Sequence, residues 1–186
     1  MDYKEYDQIP VVYIPFGVLQ KLHFYIHSVD TEISGLGLVR QDGVDFVIEE
    51  IFLLKQKSNP SNTIINRDAI AELMISLGPN LSLLRLWWHS HGDGAVFWSP
   101  TDRRQIKDFG SGWIVSIVGN TRNEFLARID TFDPRLTIHM PIRFFSDYSA
   151  AQKEELVREV AEKVEFLETP NFLWSKQHDR SILETN

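Results

Sequence analysis

Apolar positions along this chain follow two rhythms. Val11 to Ile14 is a short apolar run that predicts a strand, and Pro15 after it suits the first turn of a helix. Phe16, Leu19, His23 and Ile26 then recur at helical spacing and predict a helix to about Ser28. Glu32 to Arg40 and Val44 to Leu54 read as strands, joined through Asp42-Gly43, a strong hairpin signal. Gln56 to Thr63 contains Ser-Asn-Pro-Ser-Asn and reads as a polar loop.

In the next segment, Asn66 is placed to cap a helix whose inner face is Ala69, Ile70, Leu73, Met74 and Leu77, ended by Gly78-Pro79. Leu83 to His89 is an apolar run and predicts a buried strand. Ser99-Pro100-Thr101-Asp102 reads as a helix start, and Gly110-Ser111-Gly112 as its end. Trp113 to Val118, Glu124 to Ile129 and Leu136 to Ile142 complete the predicted strands. Ser149 with Gln152 forms a capping box for a long last helix, with Leu156, Val157, Val160, Val164 and Leu167 as its inner stripe and Thr169-Pro170 as its stop. Strands mixed with helices, some joined by hairpins, predict an α/β fold with a mixed central sheet packed by helices. The expected organisation is one domain over residues 1–168 and a C-terminal tail over 169–186.

Composition narrows the chemistry. With 19 basic and 26 acidic residues among 186, the net charge is −7, which leaves no footprint for nucleic-acid binding, although a small basic groove is compatible with that balance. The absence of cysteine excludes disulfides, thiolate metal sites and a cysteine nucleophile, so any metal site must be built from His, Asp and Glu. The first residues are polar and acidic, unlike a signal peptide, and no apolar run approaches a membrane span. A cytoplasmic protein without membrane contact is expected.

The informative stretch runs from Trp87 to Asp102. His89 and His91 lie two apart at a strand end, so both imidazoles project to one side and can reach one ion. Asp102 falls in the first turn of the following helix, where a folded-back loop brings it to the same place. Two His and one carboxylate suit zinc with its fourth position left for water, the composition of a catalytic site. Such chemistry also needs a carboxylate to move the proton, and Glu32 is the candidate, followed by Gly35 and Gly37, which permit close approach of another segment.

A distant Glu, then His-x-His, seven residues, Ser, two residues and Asp resembles the signature of the JAMM (MPN-plus, or JAB) zinc metallopeptidases, matched here at Glu32, His89, His91, Ser99 and Asp102. The resemblance covers about Pro10 to Ile142. It implies the MPN fold, zinc held by His89, His91 and Asp102, Glu32 as general base and acid, and Ser99 helping to hold the oxyanion. It also implies cleavage of a peptide or isopeptide bond at the C-terminal tail of a ubiquitin-like or sulfur-carrier protein. Two departures stand out. Many members have Pro after the second His, where this chain has Gly92. The short segment between Asp102 and Trp113 has no room for the insertion that eukaryotic deubiquitinating members carry, so the chain looks more like compact prokaryotic or phage-encoded members.

Other residues have plainer readings. His23 and His27 are taken as ordinary helix residues, Ser90 as structural because it points away from its neighbours, and one of Phe97 and Trp98 as lining the cleft. Phe172, Leu173 and Trp174 carry no assignment. The competing function is a metal-free MPN scaffold. Zinc deamination of a nucleobase is excluded as usually built, because it needs a cysteine pair.

Overall fold

A computed structural model of the chain describes residues 9–110, 112–146 and 149–163. The chain divides into two compact units, residues 1–147 and 148–186. In the first, β1 (Val12–Pro15), α1 (Phe16–His27), β2 (Ser34–Asp42) and β3 (Asp45–Leu53) are followed by β4 (Gln56–Asn59), β5 (Asn62–Ile65) and α2 (Arg67–Leu77). A 3₁₀ turn over Gly78–Leu83 leads into β6 (Leu84–Ser90), then α3 (Pro100–Asp108), β7 (Trp113–Gly119), β8 (Phe125–Phe132), β9 (Arg135–Met140) and β10 (Ile142–Phe145). Eight strands form one mixed sheet in the order β10-β1-β3-β2-β6-β7-β8-β9, and β4 with β5 forms a separate hairpin. The expected mixed α/β architecture is therefore present.

Strand alternation builds the two layers. In β6, Leu86 and Trp88 join the apolar cluster that also holds Val18, Leu22 and Ile26 of α1. Between them, Trp87 joins a second cluster with Leu73 of α2 and Ile106 of α3. Because successive side chains point to opposite faces, α1 covers one face of the sheet and α2 with α3 the other. His89 is in phase with Trp87 and so lies on the α3 side. Gly35 lets β2 thread tightly through the centre. A Cβ there would collide with the Phe52 carbonyl and come within 2.6 Å of the Trp88 ring.

Capping fixes the helix starts. Asn66 Oδ1 accepts the Ala69 N–H at 3.1 Å at the head of α2. In the second unit, helix α4 spans Ala150–Lys163; Ser149 and Gln152 cap it reciprocally, with the Ser149 N–H donating to Gln152 Oε1 at 2.8 Å. The side chains of the expected inner stripe and the tail lie outside the described residues.

Three expectations need correction. The polar segment Gln56 to Thr63 is largely a hairpin, with Asn59 opposite Asn62, because Gln56–Asn59 is polar throughout and pairs with Asn62–Ile65 without any apolar alternation to announce it. The predicted strand Leu136 to Ile142 is two strands broken at Pro141, which cannot donate to a ladder. Beyond the break, β10 crosses to the far edge and pairs in parallel with β1. The inner face of α1 is Val18, Leu22 and Ile26, with Phe16 exposed, so the helix is rotated from the face that spacing predicts.

Candidate metal centre

The site forms where β6 ends. Its last residues pair with both neighbours, since Ser34 sits opposite His89 on β2 and Val118 opposite His89 on parallel β7. The His91 N–H donates to the Gly119 carbonyl at 2.9 Å, which carries the ladder one residue past the strand and fixes the second histidine. The chain then turns at Gly92, whose φ is +51°. Proline, locked near −65°, cannot adopt that angle, so the glycine and the route of this loop go together. Residues beyond β7 clamp the turn. Buried Asn120 donates to the Gly94 carbonyl at 2.8 Å, and Arg122 donates to the Asp93 carbonyl at 2.9 Å.

Asp102 arrives from the first turn of α3. Ser99 Oγ accepts the Asp102 N–H at 3.1 Å, and Asp102 Oδ2 accepts the Ser99 N–H at 2.6 Å, a reciprocal capping box. One carboxylate oxygen is thereby anchored. The other, Oδ1, lies 3.5 Å from His89 Nε2, while Oδ2 is 3.9 Å from His91 Nε2. The two Nε2 atoms are 3.2 Å apart. Ligand atoms around a tetrahedral zinc with bonds of about 2.0–2.1 Å lie roughly 3.3 Å from one another. The three residues form a group that could hold a metal ion.

The donor chemistry fits a cation. His91 Nδ1 is 2.9 Å from the Ala95 carbonyl, so in the neutral ring the proton sits on Nδ1 and the Nε2 lone pair faces the cluster. His89 is positioned by stacking, with its ring parallel to Trp87 at 4.3 Å, and its buried Nδ1 has no partner among the described residues. Burial holds the His89 imidazole below its ordinary pKa, against the opposing pull of Asp102. Burial pushes the Asp102 carboxyl upward, but His89 and the bonds from Ser99 outweigh it and leave the group below its usual range. Both shifts favour the ligand forms, neutral imidazole and ionised carboxylate.

A cavity of about 300 Å³ opens over this cluster. Glu32 and Ser99 line it together with the three metal-ligand candidates, so all five residues of the sequence motif reach one space. Burial raises the Glu32 carboxyl above the ordinary glutamate range; His91 pulls it down and Asp102 adds to the rise. Ser99 Oγ accepts the Asp102 N–H in the helix cap, and its hydroxyl also hydrogen-bonds the Asp102 carboxylate, so the serine is tied to a metal-ligand candidate. Phe97 lines the cavity and meets the His91 ring edge-on at 4.9 Å, whereas Trp98 is buried behind it.

Several residues escaped the sequence reading. Pro60 to Asn62, the tip of the β4–β5 hairpin, lines the cavity. So does Gln105, one turn on from Asp102 on α3, a neighbour that i, i+3 spacing could have found. Ser90 is structural, and its role is specific: its N–H donates to the Ile33 carbonyl and its Oγ accepts the Ile33 N–H, pinning the residue next to Glu32. His23 and His27 stand apart from the site; they stack on each other, and His27 bonds the Thr121 carbonyl.

No family model and no curated protein matches this chain. Among solved structures it is similar to the solution structure of protein DSY2949 from Desulfitobacterium hafniense, with a TM-score of 0.57 and 14% identity, over 74% of this chain and 95% of that one. At that identity the likeness concerns the fold alone. Among the described residues, no helix is long and apolar enough to cross a membrane.

Proposed function

We propose that this chain is a zinc metallopeptidase of the JAMM type on an MPN fold, with the long C-terminal helix that the sequence pattern implies. Its substrate is the C-terminal tail of a ubiquitin-like or sulfur-carrier protein, cut at a peptide or isopeptide bond. The observation that carries this reading is the convergence of His89, His91 and Asp102 within reach of one ion, with Glu32 and Ser99 lining the same cavity. Zinc held there would supply a Lewis acid and bring the pKa of the attacking water near neutrality. Glu32 takes the proton of that water and delivers it to the leaving amine nitrogen. Ser99, which lines the cavity, turns its hydroxyl proton to the oxyanion as charge develops on the former carbonyl oxygen. The open cavity between Phe97 and the β4–β5 tip suits an extended tail with small side chains.

Elemental analysis tests the reading. Wild-type protein carries about one zinc per chain, and His89→Ala and Asp102→Ala lose it. Glu32→Gln keeps the metal and loses cleavage of ubiquitin-like tail fusions. Zinc-free wild type would return the chain to the scaffold reading, and zinc retained by His89→Ala would sink the ligand assignment.

A further inference from the structure

A second cavity, of about 310 Å³, lies behind Trp98 between α3 and the outer strands β8 and β9. Its walls carry Arg103 and Lys107 from α3, Arg128 from β8 and Arg135 from β9, against a single carboxylate, Asp130. Four cations and one anion give this small space a net side-chain charge of +3, in a chain whose total is −7. Such a concentration of one sign, against the sign of the whole molecule, focuses field on an anionic ligand.

Arg128 is the group that makes this a built site. Its side chain is only 7% exposed, and its guanidinium lies over the Trp98 ring at 4.7 Å. Its Nε donates to Asp130 Oδ2 at 2.8 Å, and Thr137 Oγ1 donates to Asp130 Oδ1 at 2.6 Å. Both oxygens of Asp130 are therefore engaged in holding the arginine in place. The terminal nitrogens of Arg128 make no hydrogen bond to any described residue, although the residue lines the cavity. The stem is fixed by Asp130, and the terminal donors open onto the cavity, where they are available to an anion. Among the described residues, Arg103, Lys107 and Arg135 have no ion-pair partner, in contrast to Arg128, and all three are exposed at the rim.

We propose that this cavity binds a phosphate-bearing small ligand, with Arg128 on its floor and Arg103, Lys107 and Arg135 closing over the anion. Guanidinium groups match phosphate oxygens in pairs. A phosphate group, with a charge of about −1.5 to −2 at neutral pH, or a pyrophosphate, compensates the +3 lining better than one carboxylate does. The volume falls at the lower end of small-molecule sites, which are roughly 300–1,000 Å³. The site is separate from the metal centre and does not depend on the hydrolase reading, although Trp98 stands between them, 5.8 Å from the His89 ring.

Calorimetric titration of the full chain with inorganic phosphate and pyrophosphate, before and after chelator treatment, tests the proposal. Saturable one-to-one binding is expected, unchanged by chelation. The double variant Arg103→Gln/Arg135→Gln, altered only at exposed positions, should weaken it by at least about tenfold while keeping the wild-type zinc content. Absence of binding by wild type, or undiminished binding by the double variant, overturns the proposal. A poly-glutamate peptide binding more tightly than pyrophosphate also overturns it and assigns the cavity to an acidic protein segment.

Discussion

Ser90 and Ile33 are bonded twice across the sheet. The Ser90 N–H donates to the Ile33 carbonyl at 2.8 Å, and the Ile33 N–H donates to Ser90 Oγ at 3.1 Å. The second bond stands where a backbone carbonyl would normally accept, so a side chain between two metal-ligand candidates holds the segment that carries Glu32.

Replacing Ser90 with Ala therefore leaves the buried Ile33 N–H without an acceptor. A loss of about 1–3 kcal/mol in urea unfolding is expected. On the proposed function, turnover of a tail-fusion substrate falls while zinc content stays, and Ser90→Thr, which keeps the hydroxyl, restores most of both. Full turnover in folded Ser90→Ala would show that Glu32 is held by other means.

Ser99 has two separable duties. Its Oγ caps α3 through the Asp102 N–H, and the residue lines the cavity beside the metal-ligand candidates. Ser99→Ala should cost about 1 kcal/mol of stability through the lost cap. Turnover should drop on the order of 10²-fold through the lost oxyanion donor. A loss of melting temperature with undiminished kcat would confine Ser99 to the cap.

Gly35 is required by space. The Cβ of an alanine would meet the Phe52 carbonyl and the Trp88 indole, backbone and a fully buried ring that cannot move aside cheaply. Gly35→Ala is expected to destabilise the protein by roughly 1–3 kcal/mol or more, measured by equilibrium unfolding. A variant as stable as wild type would mean that β2 and β3 pack less closely than described.

Glu50 sets a test in pH. Burial opposes ionisation of its carboxyl, but the Lys21 ammonium at 2.7 Å and the Ile51 N–H outweigh burial and hold the pKa below the usual value. A folded-state pKa below the unfolded one means that stability is present above the unfolded value, about 4.3, and is lost as pH falls through the folded one. The pair is about two-fifths exposed, so solvent limits its worth to about 0–1 kcal/mol. The stability gap between wild type and Glu50→Gln should shrink from pH 6 toward pH 3, read by urea unfolding. A gap independent of pH would rule out this ion pair as its source.

Sequence alone determined what depends on near neighbours. Asn66, Ser99 and Ser149 were legible as caps because a cap is a bond between residues three apart. The hairpin at Asp42-Gly43 was legible because Gly43 supplies the positive φ of a tight turn. Two histidines on one side of β6 followed from the two-residue period of a strand, and so did Ser90 facing the other way. Only the tertiary structure decided what those side chains meet. That Ser90 clasps Ile33, that β10 leaves β9 to pair with β1, and that Arg103 of α3 shares a cavity with Arg128 and Arg135 of the β8–β9 hairpin are contacts between residues far apart in the chain. Such contacts depend on sheet order and on the packing of α3 against it, and no local pattern of side chains encodes either.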